Sequence, residues 1–235
     1  MEDMERYGDY NEVDESPSKN PVIRALKILV GAVCFAVIGF LLFRIFLFNY
    51  YPASMTKLYF NDTLTEYYNS TGGKIGATTQ KLRSPYDSSE DGNFFCDNLI
   101  VIEGAGQIQG SLRFNTAIYE SFRQKYGVDI SSLGADAFRF SLVRDPITEK
   151  GEPIELVEVS DVVEGSLLMY RYYKLVFDGV DLGLDAGEDK VEWIRLEIEL
   201  LGTKEKTVFA VPIYENNESY STFNEYRLSS GEKPE

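Results

Sequence analysis

The sequence predicts a mainly β protein: an antiparallel β-sandwich, Ig-like or similar, of about seven strands with one short inserted helix, preceded by an N-terminal transmembrane helix. Three observations carry this expectation. Residues 28–48, ILVGAVCFAVIGFLLFRIFLF, are an apolar run with a single charge, Arg44. From residue 98 onward, apolar and polar residues alternate over short segments separated by polar turns, the period of half-buried strands. Between two of those segments, TAIYESFRQKYG places Ile118, Phe122 and Tyr126 on one helical stripe, with Asn115 or Thr116 as cap and Gly127 as stop.

At about 1.5 Å per residue the apolar run crosses a hydrocarbon core of roughly 30 Å. A cleaved signal would have a shorter apolar region and a small-residue site after it, and NYYPASM offers none. A lipid attachment at Cys34 would need a small residue before it, where Val33 stands. The reading is therefore a permanent span over residues 22–48, with the lipid bilayer as its partner. Lys19, Arg24 and Lys27 precede it and only Arg44 and Lys57 follow closely, which predicts a cytoplasmic N-terminus and an extracytoplasmic C-terminal domain. Asn49, Tyr50 and Tyr51 form the expected interfacial belt. Ala32, Ala36 and Gly39 share one face of the span, where small side chains let a second helix approach.

Residues 1–21 are acidic, polar and nearly free of aliphatic side chains, the composition of a disordered cytoplasmic tail. Residues 49–97 read as a juxtamembrane helix, with Leu58, Leu64 and Tyr68 at helical spacing and Ser54 or Thr56 as N-cap, followed by a polar linker dense in Gly, Ser and Asp. Residues 98–228 hold the folded domain and 229–235 a frayed tail. Its strands are NLIVIEG, QIQGSLRFN, AFRFSLVRD, IELVEVS, LLMYRYYKLVFDGV, VEWIRLEIELL and TVFAVPIYEN. Ile108, Leu112 and Phe114 fall on one face of the second, and Ile194, Leu196, Ile198 and Leu200 on one face of the sixth. Pro212 assigns the last strand to a sheet edge.

Composition narrows the function. The chain has 38 Asp and Glu against 23 Lys and Arg, a net charge of -15, which removes the basic clusters that nucleic acid needs. Its two cysteines, Cys34 in the span and Cys96 in the domain, cannot pair within one soluble fold, and Cys96 reads as a buried small apolar residue. Histidine is absent and no serine sits in a G-x-S-x-G turn, so the general bases and nucleophiles of common catalysis are missing and the expectation is a non-enzyme. The loop FDGVDLGLDAGEDKVEW gathers Asp178, Asp181, Asp185, Glu188 and Asp189, hard oxygen ligands of the kind calcium takes, although without the spacing of a D-x-D-x-D-G loop. Calcium is thus the one candidate cofactor. Tyr170, Tyr172 and Tyr173 in the aromatic strand are candidates for a contact surface. Sequons stand at Asn61, Asn69 and Asn217.

The segments AGQIQGSLRFN, FRFSLVRD and YRYYKLVFDGVDL resemble those of uncharacterised single-pass membrane proteins of Gram-positive bacteria. The resemblance implies a bacterial cell-envelope location and a β-rich extracytoplasmic domain, and transfers no functional residue. The expected function is a membrane-anchored binding or scaffolding module of the cell envelope with a protein partner. The alternatives are a calcium or small-ligand sensor using residues 178–189, and a carboxylate-dependent envelope hydrolase.

Overall fold

The computed structural model describes residues 21–82, 87–144, 154–181, 193–215 and 222–226. The chain divides into two compact units, Met1–Tyr50 and Tyr51–Glu235. In the first, α1 (Pro21–Asn49) is long and apolar enough to cross a membrane. Large apolar side chains project from it in every direction, Phe35 and Leu42 among them. Ala32, Ala36, Gly39 and Cys34 are exposed on it, and a Cβ at Gly39 would meet open space.

The second unit is mainly β. It begins with α2 (Ala53–Thr56) and α3 (Asp62–Ser70), then β1 (Ala77–Lys81), β2 (Phe94–Ile102), β3 (Gln107–Asn115), α4 (Ile118–Tyr126), α5 (Ile130–Leu133) and β4 (Phe138–Arg144). It continues with β5 (Ile154–Glu158), β6 (Asp161–Leu167), β7 (Tyr170–Asp178), β8 (Trp193–Leu200), β9 (Thr207–Glu215) and β10 (Thr222–Tyr226). All pairings are antiparallel: a six-stranded sheet in the order β10-β1-β2-β3-β7-β6 and a four-stranded sheet in the order β5-β4-β8-β9.

Inner faces of both sheets share one core. Leu112 and Phe114 of β3, Tyr173 and Leu175 of β7, Phe140 and Leu142 of β4, and Leu196 and Ile198 of β8 belong to a single apolar cluster. The period of two decides which side chains enter it. Ile194, Leu196, Ile198 and Leu200 are buried, and the intervening Arg195, Glu197 and Glu199 are half-exposed and ion-paired at the surface. α4 adds Ile118 and Phe122 to the core and stops at Gly127, whose φ of 76° is the left-handed conformation that glycine adopts without strain. Its N-terminus carries no side-chain cap on the helix itself; Asn115 Oδ1 instead accepts from the Ala117 N–H just before it. Pro212 lies on β9, an edge strand as its missing N–H requires.

The strand count exceeds the expected seven because β1, β6 and β10 lack an alternating pattern. β10 (TFNEY) and β6 (DVVEGSL) are the two edge strands of the six-stranded sheet, and β1 (ATTQK) lies between β10 and β2. An edge strand pairs on one side only and needs fewer apolar residues; β1 is paired on both sides and escaped the pattern because Ala77 is the one apolar residue of its five. The expected strand starting at Leu167 is in fact the end of β6, a two-residue turn at Leu168 and Met169, and the start of β7. Leu168 holds φ at 52°, a role usually marked by Gly or Asn.

Residues 49–97 are not a separate linker. β1 and the start of β2 are part of the sheet, and two short helices replace the single juxtamembrane one. The N-cap is Asn61, which accepts from the Leu64 N–H, rather than Ser54 or Thr56. Leu58 and Leu64 pack with Ile100 and Ile102 in a second cluster on the outer face of β2. That explains the unbroken apolar run NLIVI: Leu99 and Val101 face the main core while Ile100 and Ile102 face this smaller one.

Candidate functional site

The outer face of β3 carries Gln107, Gln109, Ser111 and Arg113, the polar half of an alternating strand. Such a half ordinarily faces water. Here all four are buried, Gln109 and Arg113 completely, because residues 51–61 lie across them as a strap.

The strap is held chiefly through its backbone. Gln109 holds both main-chain polar groups of one residue: its Oε1 accepts from the Tyr59 N–H at 2.9 Å and its Nε2 donates to the Tyr59 carbonyl at 2.7 Å. The Met55 carbonyl accepts from Ser111 Oγ and, at 3.2 Å, from Lys174 Nζ on the neighbouring β7. Gln107 donates to Asn61 Oδ1 at 3.0 Å and to Asp178 Oδ1 at 2.7 Å. Asn61 Nδ2 donates in turn to Asp178 at 2.7 Å and Asp161 at 3.0 Å. Gln109 Nε2 also donates to Gln107 Oε1 at 2.7 Å, which joins these bonds into one network. At the other end of the row the Arg113 guanidinium lies within 5.0, 5.4 and 5.7 Å of the Tyr51, Phe95 and Tyr170 ring centres, a cation among aromatic faces. Two side chains fix the strap sideways. Tyr51 meets Tyr172 edge-on, and Met55 occupies a notch over Gly165, where a Cβ would come within 2.7 Å of the Met55 methyl.

Lys174 is the one strongly shifted base of the site. Burial lowers its pKa to about 8, opposed only by the Cys96 thiol, because an ammonium loses hydration there and has the Met55 carbonyl in exchange. Tyr173, on the core face of the same strand, is held protonated well above its ordinary range by burial and then by the Glu164 carboxylate.

The candidate residues fall differently from expectation. Tyr170, Tyr172 and Tyr173 are all buried, the first two under the strap and the third in the core, so they offer no exposed contact surface. Tyr51 is part of the second unit, where it packs on Tyr172. Asp178 spends both carboxylate oxygens on Asn61 and Gln107, and Asp181 is exposed; Asp185, Glu188 and Asp189 lie outside the described residues. Among the described residues no group of three or more acids, cysteines or histidines is placed to hold a metal. The Asn61 amide nitrogen, the atom a glycan would join, is already committed to two carboxylates. Cys96 is buried, with its thiol 3.8 Å from the Asn98 carbonyl.

Replacing Gln109 by alanine leaves the part-buried Tyr59 N–H and carbonyl without their clamp. The expected result is a loss of about 2 kcal/mol in the urea unfolding of the full-length chain in detergent, with faster tryptic cleavage after Lys57 as the strap lifts. Unchanged cleavage would mean that the other strap contacts hold it without Gln109.

Comparison of the chain with protein-family models, with curated proteins and with solved structures finds no match.

Proposed function

We propose that the chain is a single-pass membrane protein whose C-terminal unit, an antiparallel β-sandwich, is a non-enzymatic binding or scaffolding module on the extracytoplasmic side of a cell envelope. The observation that carries this reading is the strap. Residues that follow the span almost at once are built into the domain as a covering layer, whereas a module meant to reach away from its membrane would be carried on a flexible linker. The acid excess keeps the module soluble and away from polyanions. The buried polar row is consumed in holding the strap, so its side chains have a structural task rather than a catalytic one. The excess of lysine and arginine before the span favours the cytoplasmic N-terminus.

Isolation of the full-length protein from gently solubilised membranes, with co-purifying proteins identified by mass, tests this. A stoichiometric membrane or envelope partner is the expected result. A lone protein that turns over a cell-wall substrate, with activity lost on a single Asp or Glu replacement, would instead favour the hydrolase reading.

A further inference from the structure

We propose that one end of the β unit, formed by the β3–β4 connection and the β6–β7 and β8–β9 turns, rests on the bilayer surface, with Leu168 and Leu201 entering the headgroup boundary. The inference rests on the reading of α1 as a membrane span, and it adds an orientation and a second membrane contact.

The strap has a direction. Tyr51 lies by Arg113, Met55 by Ser111, Tyr59 by Gln109 and Asn61 by Gln107, so the chain enters at the Asn115 end of β3 and runs toward its Gln107 end. Asn115 pairs with Tyr170, which puts the β6–β7 turn at the entry end. Across the core, Phe138 at the start of β4 lies 5.7 Å from Phe94 and 6.3 Å from Phe114. Phe138 pairs with Leu200, and Leu200 with Thr207, so the β8–β9 turn is at this end too.

The exposed large apolar residues described beyond Tyr50 are Leu133, Leu168, Leu201 and Val208, and all four belong to this end. Leu133 closes α5 in the β3–β4 connection, Leu168 tips the β6–β7 turn, Leu201 opens the β8–β9 turn and Val208 is the second residue of β9. At the opposite end, the turn between β2 and β3 exposes Glu103 and Gly104 instead. Leu168 is the sharpest case: it is 68% exposed, and among the described residues it alone holds a positive φ without being glycine. Water contact and backbone strain both disfavour leucine there, and an outlier of that kind points to a use. Lys204 follows Leu201 in the same turn, a residue type that keeps its charge at headgroup level while its stem lies in apolar surroundings, whereas the neighbouring Glu205 is exposed and Lys206 pairs with Glu199 at 3.9 Å.

Connectivity supplies the partner. Only Tyr50 separates the last residue of α1 from Tyr51, and two extended residues reach at most about 7 Å. The apolar end is therefore the end the tether brings to the bilayer. Because the domain is acidic, the contact needs apolar insertion rather than anionic lipid, and neutral vesicles suffice.

The test uses the full-length chain with Trp193→Phe, reconstituted in phosphatidylcholine vesicles with or without brominated acyl chains, and carrying one new tryptophan at a time: Leu168→Trp, Leu201→Trp or Glu103→Trp. Bromination is expected to cut emission at the first two sites roughly twofold, as for rings within about 5–10 Å of the acyl boundary, and to leave the Glu103→Trp signal unchanged. If the chain floats with the vesicles but the three sites respond alike, the orientation is overturned and the span stands. If the chain does not float, the span reading falls and this inference with it.

Discussion

Replacing Phe94 by alanine will destabilise the β unit by about 3–5 kcal/mol, the largest loss expected from any single side chain here. Phe94 is fully buried, and its ring centre lies 5.6 Å from Phe114, 6.2 Å from Phe122, 5.7 Å from Phe138 and 5.1 Å from Phe209. Those rings come from β3, α4, β4 and β9, so one side chain joins the six-stranded sheet, the four-stranded sheet and the inserted helix. Alanine removes the aromatic contacts and leaves a cavity walled by rigid rings that cannot collapse into it. Urea unfolding followed by tyrosine and tryptophan emission reads the loss, and Phe94→Leu should recover much of it. A loss below about 1 kcal/mol would mean that the two sheets do not share this core.

Replacing Lys174 by methionine has the opposite sign: it will stabilise the protein by about 2 kcal/mol at neutral pH. The folded-state pKa of about 8 lies below the ordinary 10.5. Below about pH 8 both folded and unfolded chains hold the proton, and the folded state bears the full desolvation cost, on the order of 3 kcal/mol for that difference. Between about pH 8 and 10.5 the unfolded chain keeps its proton while the folded chain releases it, so stability rises with pH across that window. Methionine fills a similar volume without charge and loses one hydrogen bond, but the Met55 carbonyl keeps its bond from Ser111. Tyrosines with raised pKa, such as Tyr173, act in the other direction at high pH, so the difference between wild type and Lys174→Met isolates the lysine. A destabilised variant with the pH dependence unchanged would contradict the assignment.

The inner faces of the sheets were legible because their apolar residues recur with the period of two: Leu112 with Phe114 and Leu196 with Ile198 announce themselves by alternation. The helix α4 and the edge position of Pro212 were legible for equally local reasons. Nonlocal covering was not. Gln107, Gln109, Ser111 and Arg113 alternate as a solvated face would, and nothing within β3 says that residues fifty positions earlier lie over them. One trace was present in the composition: an outer face built from two glutamines and a serine, with few of the charges usual at a water-facing strand, suits hydrogen bonding to a peptide backbone. The β6–β7 turn was hidden for a different reason, since Leu168 takes a conformation that sequence signals reserve for Gly and Asn. Of the acidic loop, Asp178 serves the strap network, a role its composition did not signal.

That residues 51–61 are a layer of the domain and not a stalk is the claim on which the functional account stands. Hydrogen–deuterium exchange of the full-length chain in lipid nanodiscs tests it directly at the amides of Met55, Lys57 and Tyr59, whose N–H groups donate to Pro52, Ala53 and Gln109. Protection of Tyr59 approaching that of the β3 amides is the expected result. Exchange of all three at the rate of an unstructured peptide, while β3 stays protected, would contradict it.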